Sequence, residues 1–137
     1  MQLHASCVAF DGRAILIRGA SGSGKSSLAL ELIALGADLV ADDRVDVTES
    51  TAAPIASAPA RLFGLIEARG IGVLHVKALK AAEISVMVNL DRTETARLPD
   101  AKHEDLIGHM VPLLHKVESP YFAVALRQYL IGGLSDR

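Results

Sequence analysis

The chain has one cysteine, almost no excess of charge and no long apolar run. Fourteen Lys and Arg stand against sixteen Asp and Glu, a net charge of −2. A lone Cys7 rules out an internal disulfide and fits a reducing compartment; on its strand it is expected to be a small buried hydrophobe. So balanced a charge supplies no electrostatic footprint for nucleic acid or an anionic membrane. No apolar stretch approaches membrane-spanning length, and no basic flank followed by an apolar core marks a secretion signal. Repeats and low-complexity tracts are missing too. His103, His109 and His115 stand too far apart, in contexts too unlike, for a zinc site. What is left is a chain of 137 residues, 50% hydrophobic and 22% charged, expected to be one α/β domain over residues 1–137 in the cytoplasm.

One stretch carries most of the chemistry. Gly19-Ala20-Ser21-Gly22-Ser23-Gly24-Lys25-Ser26 satisfies G-x-x-x-x-G-K-[ST], the phosphate-binding P-loop. Ala14 to Ile17 leads in as a strand, and Ser27 to Leu35 leads out as a helix. In that setting the loop amides and the helix N-terminus point at an anion. The nucleotide contacts are expected from Gly19, Ala20, Ser21, Gly22, Ser23, Gly24, Lys25, Ser26 and Ser27. Lys25 would reach the β- and γ-phosphates, and the Ser26 hydroxyl would ligate Mg²⁺.

Around this loop the chain reads as follows. Leu3–Phe10 and Arg13–Arg18 form a hairpin across Asp11-Gly12, a pair suited to a type I′ turn, which leaves little chain upstream for a further domain. His4 falls on its first strand, where a histidine is either structural or close to the phosphates. Gly36 stops the helix, and 37–41 is a short strand. It runs into Asp42-Asp43-Arg44, where α/β sheets place their chemistry. One acid is wanted to take a proton from the attacking hydroxyl, another to hold Mg²⁺. Neighbours on an extended segment point to opposite sides, so the pair is expected to divide these jobs.

Val45–Ala60 reads as edge strands and turns, with Pro54 and Pro59 excluding a central strand. In the segment 65–76, Glu67 and Arg69 would share one face if extended. Either they form a surface ion pair, or they are a metal or water ligand beside an arginine that neutralises phosphoryl charge. Residues 84–91 alternate as a strand, 92–104 as an exposed mobile loop, and 111–117 as a last strand with Pro112 near its start. Ser119 and Pro120 are expected to open the final helix as N-cap and first helical residue. Phe122, Leu126, Tyr129 and Leu130 would form its apolar stripe, with Gly132-Gly133 ending it.

In this order and spacing the motifs resemble those of the HPr kinase/phosphorylase catalytic domain. The P-loop matches the family's G-x-S-G-x-G-K-S. Leu39 to Val45 is similar to its V-A-D-D-R-V, and Leu65 to Gly72 to its L-x-E-I-R-G-x-G; His4 lies where the family has a His-Gly. The resemblance implies a P-loop kinase fold of the HPr kinase/PEP carboxykinase-like type, a mixed β-sheet with flanking helices. It implies an ATP- and Mg²⁺-dependent protein-serine kinase acting on HPr or an HPr-like phosphocarrier. On this pattern Asp42 is the acid/base residue, Asp43 and Glu67 with Ser26 hold Mg²⁺, Arg69 stabilises phosphoryl charge, and Lys25 and His4 lie at the phosphates. A homo-oligomer, hexameric in many relatives, is also implied. The resemblance stops at Val117-Glu118-Ser119-Pro120-Tyr121, which lacks the arginine and glycine of the loop that the family associates with its reverse, phosphorolytic reaction. The P-loop by itself is equally compatible with another small-molecule kinase or ATPase, or with a non-catalytic ATP-sensing module.

Overall fold

The computed structural model describes residues 1–135, and among them nine strands form one mixed sheet with both helices on the same face. β2 (Ala5–Phe10) and β3 (Arg13–Arg18) are the expected hairpin, in register from Ala5↔Arg18 to Phe10↔Arg13. Asp11 and Gly12 turn it at φ 50° and 76°, the left-handed pair that the type I′ turn requires. The expected first strand is split at His4: β1 (Gln2–Leu3) leaves the hairpin and pairs with β5 (Val45–Thr48). Ala5, Cys7, Ala9, Ala14 and Leu16 face one way, and Val8, Phe10, Ile15 and Ile17 the other. Both faces are buried, so these strands read as continuous apolar runs. Burial also pushes the Cys7 thiol well above its ordinary pKa, which keeps it protonated and inert.

α1 (Lys25–Ala34) begins two residues before the expected start and buries Leu28, Ala29 and Leu32. It ends where Gly36, at φ 107°, donates to the Ile33 carbonyl while Ala37 donates to that of Leu32, the paired bonds of a Schellman stop. β4 (Asp38–Ala41) follows and pairs antiparallel to β2.

The longest strand, β9 (Ala81–Thr93), lies parallel to β3 on one side. On its other side run β6 (Ile55–Ser57), antiparallel, and then β11 (His109–Lys116), parallel. The register steps from Ala14↔Ile84 to Ile15↔Val86, so Ser85 is an extra residue. That bulge puts Ile84 on the small-residue face and Val86, Val88 and Leu90 on the helix face. β6 corrects the expectation of edge strands, because it is paired on both sides, to β5 and to β9. Pro54 lies just before it, where its missing N–H removes no ladder bond. The sheet curls so that β6 approaches β4, and the alanines at 5, 9, 14, 56 and 82 make room for that approach.

Residues 92–104 are not one exposed loop. β9 runs to Thr93, and β10 (His103–Leu106) forms a hairpin with β11 over Ile107 and Gly108, at φ 41° and 88°. Pro112 sits inside β11 where that strand changes partner, from β10 up to Pro112 to β9 from Leu113, so its ring interrupts neither ladder. Between the strands, Glu94 accepts from Lys102 Nζ at 2.9 Å and from the amides of Thr95 and Ala96. The lysine bond, with those amides, holds the Glu94 carboxyl below its usual pKa. The stabilisation is present above the ordinary glutamate pKa and is lost as pH falls through the lowered value. Lys102→Met is expected to move the Glu94 titration upward in a side-chain carboxyl NMR experiment; an unmoved midpoint would show that the lysine is not its partner in solution.

α2 (Phe122–Gly132) starts two residues later than expected, because Ser119 accepts the Tyr121 amide and Pro120 lies in the preceding turn. Phe122, Ala123, Leu126 and Leu130 are buried against Phe10, Leu28 and Leu32, with Tyr129 half-buried beside them. Arg13 donates to the Leu130 carbonyl and Arg127 to that of Leu35, fixing α2 beside α1.

Candidate active site

β3 delivers the chain into the P-loop and α1 receives it. Gly24, at φ 101° and ψ 20°, makes the left-handed junction before the helix, a conformation costly for a residue with a Cβ. Gly19 is needed for a different reason. A Cβ there would lie 2.5 Å from Ser23 Oγ, 3.1 Å from Ser23 Cβ and 3.2 Å from Leu90 Cβ. Gly19→Ala is therefore expected to push the loop open and weaken ATP binding by about tenfold in calorimetry; unchanged affinity would mean the loop relaxes around the methyl group. The Ser23 N–H donates to the Ala20 carbonyl, and the Ala20 N–H donates to Asp91 Oδ1 at 3.0 Å, which ties the loop to the end of β9. Lys25 is 8% exposed, and its ammonium donates to the Gly19 and Ala20 carbonyls at 2.8 and 3.0 Å. Among the described residues the buried Ser23 hydroxyl has no hydrogen-bond partner.

The two acids after β4 occupy different environments. Asp42 is 5% exposed. Its Oδ1 accepts from the Ser6 hydroxyl at 2.6 Å and from the Ser26 hydroxyl at 2.8 Å, and its Oδ2 accepts from the Glu67 amide at 3.1 Å. Asp43 is exposed and bonds His4 Nε2 at 3.0 Å. Strand alternation was expected to point the two acids apart; a tight turn separates them instead. Arg44 N–H donates to the Asp42 carbonyl at 2.8 Å across Asp43, whose φ is 70°. This is a γ-turn of the rare positive-φ kind, a strained backbone held at the mouth of a cleft.

The segment 65–76 is a hairpin of β7 (Leu65–Ala68) and β8 (Gly72–His75), so Glu67 and Arg69 do not share an extended face. Arg69 sits in the turn. Among the described residues no ion pair joins Glu67 to Arg69. Buried Ile66 and Ala68 anchor β7, which leaves Glu67 and Arg69 on the rim of a cavity of about 610 Å³ with His4, Ser26, Asp42 and Asp43 around it. That volume lies within the ~300–1,000 Å³ typical of small-molecule sites. Lys25 and the Ser21-Gly22 turn of the loop line the same cavity. Two contributors escaped the sequence: Ser6, a lone hydroxyl in an otherwise apolar strand, and Asp91, the acid two residues after Asn89 at a strand end.

Among the described residues no three His, Cys, Asp or Glu side chains converge closely enough to hold a metal unaided. Ser26, Asp42, Asp43 and Glu67 bring oxygen donors to the cleft, and the one imidazole lining it, His4, is engaged with Asp43. That set fits Mg²⁺, which keeps several waters and binds through one or two carboxylates plus substrate phosphates.

The family model described as the HPr serine kinase C-terminal domain matches residues 1–114. The HPr kinase/phosphorylase of Clostridium botulinum is 47% identical over 78 residues, covering 57% of this chain and 26% of that protein. The HPr kinase/phosphorylase of Listeria welshimeri is 38% identical over 116 residues, covering 79% of this chain and 36% of that one. The chain thus spans roughly a quarter to a third of the length of these relatives. The solved Hpr(Ser) kinase/phosphatase from Coxiella burnetii superimposes with a TM-score of 0.78 at 26% identity, over 96% of this chain and 88% of that one. The overlay extends the likeness beyond residue 114, and the mixed sheet with its P-loop and helices is the fold expected from the sequence.

Proposed function

The chain belongs to the HPr serine kinase C-terminal domain family, and from that premise we propose that it transfers the γ-phosphoryl group of ATP to a serine of HPr or an HPr-like phosphocarrier. The observation that carries the proposal is the 2.8 Å bond between Ser26 of the P-loop and Asp42, which puts a carboxylate beside the phosphate cradle.

In this reading the loop amides and Lys25 hold the triphosphate, and Asp42 receives the proton of the incoming serine as its oxygen bonds to the γ-phosphorus. The bond from that phosphorus to the bridging oxygen breaks, and ADP leaves with the electron pair. The Ser26 hydroxyl donates to Asp42, as an acceptor serine would, and would be released from that bond to ligate the metal. Ser26 with Asp43 and Glu67 would hold Mg²⁺, which would supply positive charge against the developing phosphate charge. Arg69 adds a cation at the cleft mouth, and His4 steadies Asp43. A cytoplasmic homo-oligomer is part of the same proposal. Among the described residues no helix is long and apolar enough to cross a membrane.

The test is an incubation of the protein with Mg·ATP and purified HPr-type carriers, read by intact mass. One phosphate added to serine is the expected result; ATP turnover with every carrier unmodified would overturn it. A parallel arm with serine-phosphorylated carrier and inorganic phosphate is expected to run more slowly than the forward reaction, because 117–121 lacks the arginine and glycine of the relatives' loop.

A further inference from the structure

Asp91 lies outside the cleft around Asp42, at the point where β9 leaves the sheet beside the P-loop. We propose that Asp91 is a positioning residue for nucleotide binding, its carboxylate locking the peptide between Gly19 and Ala20 in the orientation that turns the Gly19 carbonyl onto Lys25. The proposal rests on the P-loop binding ATP, as set out above, and adds a residue that the loop motif does not contain.

β3 and β9 run parallel with Arg18 opposite Asn89, so the first two residues of the loop emerge beside Leu90 and Asp91. A Cβ at residue 19 would meet Ser23 and Leu90, which makes glycine obligatory there. The same glycine leaves its peptide free to turn over, because no side chain restricts it. The restraint has to come from outside the loop. The Ala20 N–H donates to Asp91 Oδ1 at 3.0 Å, while the Gly19 carbonyl of the same peptide accepts from Lys25 Nζ at 2.8 Å. In a trans peptide these two groups point in opposite directions. A carboxylate and an ammonium therefore grip the two ends of one dipole, and each bond polarises the other. Turning the peptide over would break both bonds and set the Gly19 carbonyl against the Asp91 carboxylate.

Asp91 is itself aimed, and it is not drawn off by a cation. Its own N–H donates to Asn89 Oδ1 at 2.9 Å, which bends the end of β9 back toward the loop. It lines a hollow of about 340 Å³ together with Gly19 and Ala20, separate from the cleft lined by Lys25 and the Ser21-Gly22 turn. Arg18, on the same hollow, is paired with Glu104, and His4 is bonded to Asp43. Among the described residues the Ala20 amide is the group that the Asp91 carboxylate engages.

The test compares Asp91→Ala with Asp91→Asn, which keeps an acceptor oxygen and drops the charge. In the nucleotide-free protein, hydrogen exchange at the Ala20 amide is expected to speed up about tenfold in Asp91→Ala and to stay within about threefold of wild type in Asp91→Asn. ATP binding in calorimetry is expected to weaken by about five- to tenfold in Asp91→Ala and to recover in Asp91→Asn. In transfer assays the loss is expected in KM for ATP rather than in the maximal rate, because the peptide is held alike before and during the reaction. Asn89→Ala, which keeps the carboxylate but removes the bond that aims it, is expected to move exchange and affinity the same way by a smaller factor. Unchanged Ala20 exchange in Asp91→Ala would overturn the assignment. So would an Asp91→Asn protein that binds ATP as weakly as Asp91→Ala, since charge and not the peptide bond would then be what matters. A maximal rate that falls together with the thermal midpoint would reduce the contact to a structural one and overturn it too. Exchange is read without ATP or acceptor, so a chain that phosphorylates no carrier would still report on Asp91, and an idle Asp91 would leave serine transfer to be judged by mass.

Discussion

Asp42→Asn is expected to slow phosphoryl transfer by about a thousandfold, within the ~10²–10⁴ that a positioned general base supplies, while ATP affinity stays within about threefold. The substitution keeps the shape of the side chain and can keep its hydrogen bonds. The Glu67 amide requires an acceptor opposite it, so the new carbonyl oxygen turns there and the amide nitrogen faces Ser6 and Ser26. Those hydroxyls can rotate to accept, since each carries both a donor and lone pairs. The cleft therefore stays assembled and loses only its basicity. The competing role for Asp42, holding Mg²⁺ through Ser26, predicts something else: weaker ATP binding and a raised Mg²⁺ requirement, with transfer largely restored at high Mg²⁺. Glu67→Gln provides the contrast, because its expected effect is that raised Mg²⁺ requirement at a nearly normal maximal rate. Measuring transfer and nucleotide affinity across a Mg²⁺ titration distinguishes base from ligand. An Asp42→Asn protein with its full rate would remove the residue from the chemistry.

The parts of the fold written into the sequence are those set by local chemistry. Asp11-Gly12 dictates the hairpin turn, Gly36 the end of α1, and G-x-x-x-x-G-K-S the turn between β3 and α1. Elements whose form depends on distant partners were misread. β10 carries His103, Glu104 and Asp105, a polar run without a strand pattern, and it is a strand because β11 pairs with it. β6 is three residues beside a proline, held inside the sheet by β9 and β5. The site divides in the same way. Asp42 and Asp43 stand out because a pair of acids ending a strand after a P-loop falls where α/β sheets place their chemistry, whereas Glu67 by its spacing to Arg69 reads equally as half of a surface ion pair. Ser6 does not stand out, since a serine in a strand is common and its meaning appears only when β2 is laid beside β4 and Asp42. Glu67 and Arg69 reach one cavity through a hairpin rather than through alternation. The shared extended face that their spacing suggested is absent, since β7 ends at Ala68 and Arg69 lies in the turn.

The second large effect is expected at Lys25. Lys25→Met should lower ATP affinity by about ten- to a hundredfold and transfer by about 10²–10³-fold, because a cation placed against developing phosphoryl charge in a closed site is worth several kcal/mol. Methionine fills nearly the same volume, so the wall formed by a side chain only 8% exposed is preserved. Stability in the absence of nucleotide moves little, because two terms oppose. The Gly19 and Ala20 carbonyls lose a charged donor, at about 1.5–3 kcal/mol per bond, and the cost of keeping an ammonium out of water disappears with it. The loop itself stays closed by Ser23 N–H on the Ala20 carbonyl and by Ala20 N–H on Asp91. Lys25→Arg is not a rescue, since a planar fork cannot replace a compact ammonium that reaches two carbonyls of one turn. An unchanged thermal midpoint with both functions lost would place the lysine on the phosphates. A collapsed midpoint would instead make it a structural clasp of the loop, and full ATP affinity in the methionine variant would separate this chain from nucleotide binding through its P-loop altogether.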